Sequence, residues 1–234
     1  FWENVLSRVG PDGIWRTNRV LADIRVGLPP AGPKQSSGIV TPWMIERLRW
    51  SAELSDAIGE RERASEWRAT VDRMAAAFRA HHIVPAKGGV PAHVADRLDP
   101  EDPSIERGYS QAGQTIAVYA GLLAPEEARA DLEYAFRDPD GSPPAGVTRW
   151  NNPTYGYRVL RALAEVGLAE RAAQHLIERY SPYLPGHPRN PIPLDLQGPY
   201  GGPLPEYWVS REDLGLAPGQ KDPAQPDDET GSHW

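Results

Sequence analysis

Six amphipathic helical segments fall into three pairs, with a tight turn inside each pair and a long connection between pairs. The strongest stripe is Ala64, Trp67, Val71, Met74 and Phe78, spaced 3, 4, 3 and 4, the period of one face of an α-helix. The segment before it, 41–58, keeps Met44, Leu48 and Ala52 in register and stops at Gly59. Its opening Thr41-Pro42 reads as an N-cap followed by proline at the first helical position. The pattern recurs. A helix over 111–123 turns at Ala124-Pro125 into one over 125–137 carrying Ala128, Leu132 and Phe136. A helix over 154–166 turns at Gly167 into one over 168–180 carrying Ala172, Leu176 and Tyr180. The turns resemble one another, and acidic residues follow each, which suits a helix N-terminus. A shorter helix with Phe1, Val5, Leu6 and Val9 on one face precedes the pairs and stops at Gly10-Pro11-Asp12-Gly13.

This spacing predicts stacked αα-hairpins with an imperfect repeat. No strand pattern longer than a few residues competes, so the expected class is all-α, with residues 1–234 as a single domain. The long connections, roughly 81–110, 138–152 and 181–205, alternate with the tight turns and therefore gather at one end of the stack. They carry His81, His82, His93, Tyr109, Arg149, Trp150, Asn151, Asn152, Tyr183 and His187. Loops collected on one rim of a rigid scaffold are where binding and catalysis tend to sit.

Composition narrows the classes of function. The net charge is −7 and no Lys/Arg run is present, which argues against nucleic acid as a partner. No apolar run approaches a membrane span. The absence of cysteine removes thiolate catalysis and Cys-ligated zinc and leaves the compartment open. His81, His82 and His93 lack metal-ligand spacing, so no metal or other cofactor is expected. Trp (8) and Tyr (9) greatly outnumber Phe (3). Amphipathic aromatics suit a polar ligand with apolar faces, such as a sugar, and equally fill helix interfaces.

One loop combines stiffness with chemistry: Gly201-Gly202-Pro203-Leu204-Pro205-Glu206-Tyr207-Trp208. The two prolines hold Glu206 on ordered, non-helical backbone, and Tyr207 and Trp208 offer flat walls beside it. Alone, the octet fits an acid or base next to a ring-shaped ligand, and it also fits a surface glutamate in a Pro-rich loop.

Several longer stretches resemble the six-hairpin domain of bacterial α-L-rhamnosidases (glycoside hydrolase family 78). They are Ser110 to Leu123 with Pro125-Glu126-Glu127, Tyr155 to Gly167 with its Ala-rich successor, the Gly201–Trp208 octet, and Ser232-His233-Trp234. Upstream, Asp12-Gly13-Ile14-Trp15 and Ala22-Asp23 fall where the family has an Asp-Gly turn and an Asp-Trp pair; here Ile24 replaces that Trp. The resemblance implies an (α/α)6 barrel, incomplete at both ends, of which this chain is the C-terminal portion. It implies an inverting glycoside hydrolase with a carbohydrate substrate and Glu206 as the general base. It places the proton-donating acid in a loop before Phe1, so the chain alone would be inactive and would expose apolar helix faces.

Around Glu206, His233 would donate to a sugar hydroxyl or serve a structural role. Asp23 would accept from a hydroxyl or close the 13–30 loop. Trp208 and Trp150 would stack on a sugar, Trp150 being equally suited to a helix interface, and Tyr207 would complete the wall. The alternatives are another six-hairpin glycosidase, of the trehalase or glucosidase kind, and a helical-repeat binding module. The irregular period and long connections speak against the latter.

Overall fold

The computed structural model describes residues 2–16, 34–138, 143–150, 156–181, 184, 187 and 188. Among them the architecture is mostly helical. A short α1 (Trp2–Leu6) precedes three hairpins: α2 (Val40–Ala57) with α3 (Arg61–His82), α4 (Gln111–Tyr119) with α5 (Pro125–Ala135), and α6 (Gly156–Glu165) with α7 (Ala169–Tyr180). The partners of each pair pack on one another, and α4 also packs against both α2 and α6. The first helices of the pairs thus form one layer, and α3, α5 and α7 back it.

The similarity of the three turns has a common physical cause. Each first helix ends in a Schellman motif with a left-handed glycine: Gly59 at φ 87°, Gly121 at 65° and Gly167 at 79°. The residue after each glycine donates back across the last turn: Glu60 to the Ser55 carbonyl (2.8 Å), Leu122 to Ala117 (3.0 Å) and Leu168 to Leu163 (2.8 Å). These bonds satisfy carbonyls that a helix end leaves orphaned. Arginines satisfy others and tie neighbouring hairpins together. Arg49 donates to the Ala120 carbonyl, Arg129 to Val166 (3.0 Å) and Arg171 to Glu133 (2.8 Å).

Two hydrophobic clusters meet at α4. One joins α1, α2 and α3 through Val5, Trp15, Met44, Ile45, Leu48, Met74 and Phe78 to Ala117 and Leu122. The other joins α4 to the last two hairpins through Ile116, Leu132, Phe136, Trp150, Val159 and Leu163. Every residue of α4 from Gln111 to Val118 is buried, so the central helix serves both cores.

The structure moves several expected boundaries. The cap of α2 is not Thr41: the helix starts at Val40, and the Ser37 hydroxyl accepts from the backbone N–H groups of Ile39 (3.2 Å) and Val40 (3.1 Å). Pro42 still sits in the first turn, where its missing N–H is not needed. The first helix ends at Leu6, because Val9 leaves it to bridge Trp15. At the other extreme α3 continues to His82, whose ring extends the stripe by stacking on Phe78 with centroids 4.7 Å apart. His81 and His82 therefore stand on a helix rather than in a loop. Two small antiparallel pairs also form, β1 (Ser36–Ser37) with β4 (Arg97–Leu98) and β2 (Ile83–Val84) with β3 (His93–Val94).

Candidate functional site

Because the tight turns lie at one end of each hairpin, the long connections share the other. There they are stitched into a continuous rim. The β1–β4 pair fastens the segment before α2 to the α3–α4 connection. The Gly38 N–H donates to the Asp96 carbonyl at 2.6 Å. Asp96, fully buried, accepts from the Ser110 hydroxyl at 2.5 Å, while Ser110 caps α4 by accepting from the Gly113 N–H at 3.1 Å. Tyr109 and Gln111 exchange backbone bonds with Thr148 (2.8 and 3.0 Å), which attaches the α5–α6 connection. Gln114 reads the rim from α4, accepting from the Val94 N–H (2.6 Å) and donating to its carbonyl (2.9 Å).

On the face of the first layer turned away from α3, α5 and α7, three helices contribute to one polar–aromatic cluster. The Arg158 guanidinium of α6 lies 4.7 Å from the Trp43 ring centre on α2 and 5.6 Å from that of Tyr119 on α4. Arg161, one turn along, lies 4.9 Å from the Tyr119 ring and donates to the Tyr157 hydroxyl (3.2 Å) and to Glu165 (2.6 Å). Tyr119 and Tyr157 meet edge to face. Glu46 of α2 is buried beside them. Burial pushes its carboxyl above the usual range, and Arg158, Arg47 and the Tyr119 hydroxyl hold it back. Glu46 Oε2 and the hydroxyl of Thr115, one turn before Tyr119, are buried without hydrogen-bond partners. A buried polar atom left unsatisfied costs about 1–3 kcal/mol. Aromatic faces, forked guanidinium donors and a carboxylate acceptor together form the donor and acceptor set that a polyhydroxylated ring requires.

Sequence reasoning did not single out this cluster. Its only linear trace is the pair Arg158 and Arg161, spaced 3 apart on a helix whose buried residues are Gly156, Val159, Ala162 and Leu163.

Of the residues expected to form the site, Asp23, Glu206, Tyr207, Trp208 and His233 lie outside the described residues. Trp150 is 0 % exposed. Its backbone N–H donates to the Gln111 side-chain oxygen (2.8 Å) and its carbonyl accepts from Arg179 (2.6 Å). Its ring belongs to the core shared by the α4–α5 and α6–α7 hairpins, the helix-interface role rather than a sugar-stacking one. Trp15 is likewise interior, its indole donating to the Val5 carbonyl at 3.1 Å. His82 is buried between the Ala95 carbonyl (3.2 Å) and the Ser36 hydroxyl (3.0 Å). Burial lowers its pKa to about 3, so it is neutral and structural. The described residues contain no group of side chains arranged to hold a metal ion and no helix long and apolar enough to cross a membrane.

Comparisons with known proteins agree with this architecture. Solved structures similar to the chain include the GH78-family rhamnosidase of Bacillus sp. GL1, with TM-score 0.63 and 18% identity over 82% of this chain. A rhamnosidase from Klebsiella oxytoca with rhamnose bound matches at TM-score 0.61 and 15% identity over 97% of this chain. The fold is rhamnosidase-like. The chain spans 20% of the first protein's length and 36% of the second's. No protein-family model matches the chain, and no curated protein does.

Proposed function

We propose that the chain forms part of an inverting glycoside hydrolase of the α-L-rhamnosidase kind, with its hairpins belonging to an (α/α)6 barrel. The observation that carries the reading is the rhamnosidase-like fold at both TM-scores above 0.6. The α2–α4–α6 cluster adds weight, since it supplies aromatic, guanidinium and carboxyl groups on the face that such a barrel turns inward. An exposed apolar stripe along the end of α2 and its cap, Trp50, Leu54 and Ile58, is what a further neighbouring hairpin would cover.

In this reading Glu206 is the general base. It takes a proton from water as the water oxygen attacks the anomeric carbon from the face opposite the leaving group. A second, protonated carboxyl gives its proton to the departing glycosidic oxygen, at ~6.5–9.5 Å from the base. Trp208 and Tyr207 form the aromatic wall of the site, His233 and Asp23 bond to sugar hydroxyls, and the buried Trp150 serves the helix interface instead. The chemistry uses carboxyl groups and water and calls for no cofactor.

Glu206→Gln tests the reading in the whole enzyme. Loss of a general base typically lowers the rate by ~10²–10⁴-fold. That loss is expected on an aryl α-L-rhamnoside, with an unchanged circular dichroism spectrum. Turnover like the wild type would remove Glu206 as the base.

A further inference from the structure

An open groove of about 650 Å³ runs between α5 and the turn that follows β2, a size common for small-ligand sites, ~300–1,000 Å³. One wall is a tight hairpin. Lys87 and Val90 exchange backbone hydrogen bonds of 3.0 and 3.1 Å around Gly88-Gly89, both at positive φ (60° and 84°), as a two-residue type I′ turn requires. The other wall is α5, through Ala130, Glu133, Tyr134 and Arg137.

Tyr134 is packed against a second ring. Its ring lies nearly parallel to Tyr109, with centroids 6.0 Å apart and an interplanar angle of 11°. Tyr109 in turn stacks on His93 at 4.1 Å and 13° and is fixed by its hydroxyl donating to Asp131 at 2.6 Å. This three-ring stack reaches from the rim to the groove and ends at Tyr134, which lines it. The same groove is lined by Val90 and Pro91, by two cationic donors, Lys87 and Arg137, and by one carboxylate, Glu133. Glu133 is bound to Arg129 at 2.9 Å, and Arg137 to Asp138 at 3.3 Å through Nε, which leaves the terminal nitrogens of Arg137 as donors. A stacked aromatic ring bordered by donors and an acceptor matches a pyranose, whose C–H face stacks and whose hydroxyls both donate and accept.

We propose that this groove is a saccharide-binding site, with Tyr134 as the platform under one sugar ring and Lys87, Glu133 and Arg137 as its hydrogen-bonding border. The choice of a saccharide rests on the glycosidase reading above, but the groove is built by the second-layer helix α5 and a rim hairpin. Its test therefore reads binding locally and turnover separately.

The probes are L-rhamnose and the disaccharide rutinose, titrated into ¹⁵N-labelled protein. The Gly88 and Gly89 amide signals should shift saturably with at least one of them. Tyr134→Ala should weaken that binding about tenfold, the worth of a stacked ring, while turnover of a small aryl glycoside stays unchanged. Tyr134→Phe keeps the ring and should keep the binding. Lys87→Ala with Arg137→Ala leaves the stack untouched and should also weaken binding, which guards against a misfolded Tyr134→Ala variant. Stationary Gly88 and Gly89 signals with both sugars, or shifts that persist in Tyr134→Ala and in the double variant alike, would overturn the proposal. Failure of Glu206→Gln to lower turnover would leave this result standing.

Discussion

Asp131 shows what a single residue can hide. In sequence it is one acidic position on α5 among several; in the structure it is fully buried, bonded at one oxygen to Tyr109 and unpartnered at the other. Burial pushes its pKa up to about 8 from 3.8, against the opposing pull of the Tyr109 bond. Below about pH 4 the folded and unfolded chains both hold this proton and the group is neutral for stability. Between about 4 and 8 the unfolded chain releases it and the folded chain does not, so stability falls as pH rises through that window. Asp131→Asn keeps an acceptor for Tyr109 and removes the ionisation. It should raise the denaturation midpoint at pH 7, through an unfolding free energy larger by on the order of a few kcal/mol, and flatten the decline between pH 4 and 8. An unchanged midpoint and slope would show that Asp131 is ionised in the fold. The partner that buries Asp131 comes from a distant loop, so its state was not legible in sequence. The same holds for Glu46, whose neighbours come from α4 and α6.

At the scale of elements, the helices were legible because their apolar stripes repeat locally. Ala64 to Phe78 and Leu132 to Phe136 needed no distant partner to be read. The turns were legible too, since a glycine closing a Schellman motif is a local requirement. The two-residue strands were not, because Ser36–Ser37 pairs with Arg97–Leu98 far along the chain. Two glycines separate local from distant causes. A Cβ on Gly59 would meet nothing within 4 Å, and only its φ of 87° opposes substitution. Gly59→Ala should therefore cost ~1–2 kcal/mol, the penalty of the left-handed region. A Cβ on Gly38 would stand 1.9 Å from the Ala95 carbonyl oxygen. Gly38→Ala should cost distinctly more, because the rim must open to admit the methyl group. Urea midpoints of the two variants check the order; equal losses would mean that the rim yields freely.

At the scale of the whole molecule, the described residues supply three hairpins in two layers, one rim and one polar–aromatic cluster, the frame on which the proposed chemistry rests. The pairing of helices and the gathering of long connections at one end were readable from turn lengths alone. The α2–α4–α6 cluster was not, because it exists only once those three helices stand side by side. Glu206 was readable as a candidate from its stiff loop and aromatic neighbours, and its chemistry is a matter for direct measurement. The decisive one is the configuration of the sugar first released from an α-L-rhamnoside by the enzyme, followed by ¹H NMR before mutarotation. An inverting hydrolase with Glu206 as base must deliver β-L-rhamnose first. Initial release of the α anomer, or no hydrolysis of any α-L-rhamnoside, would contradict the account.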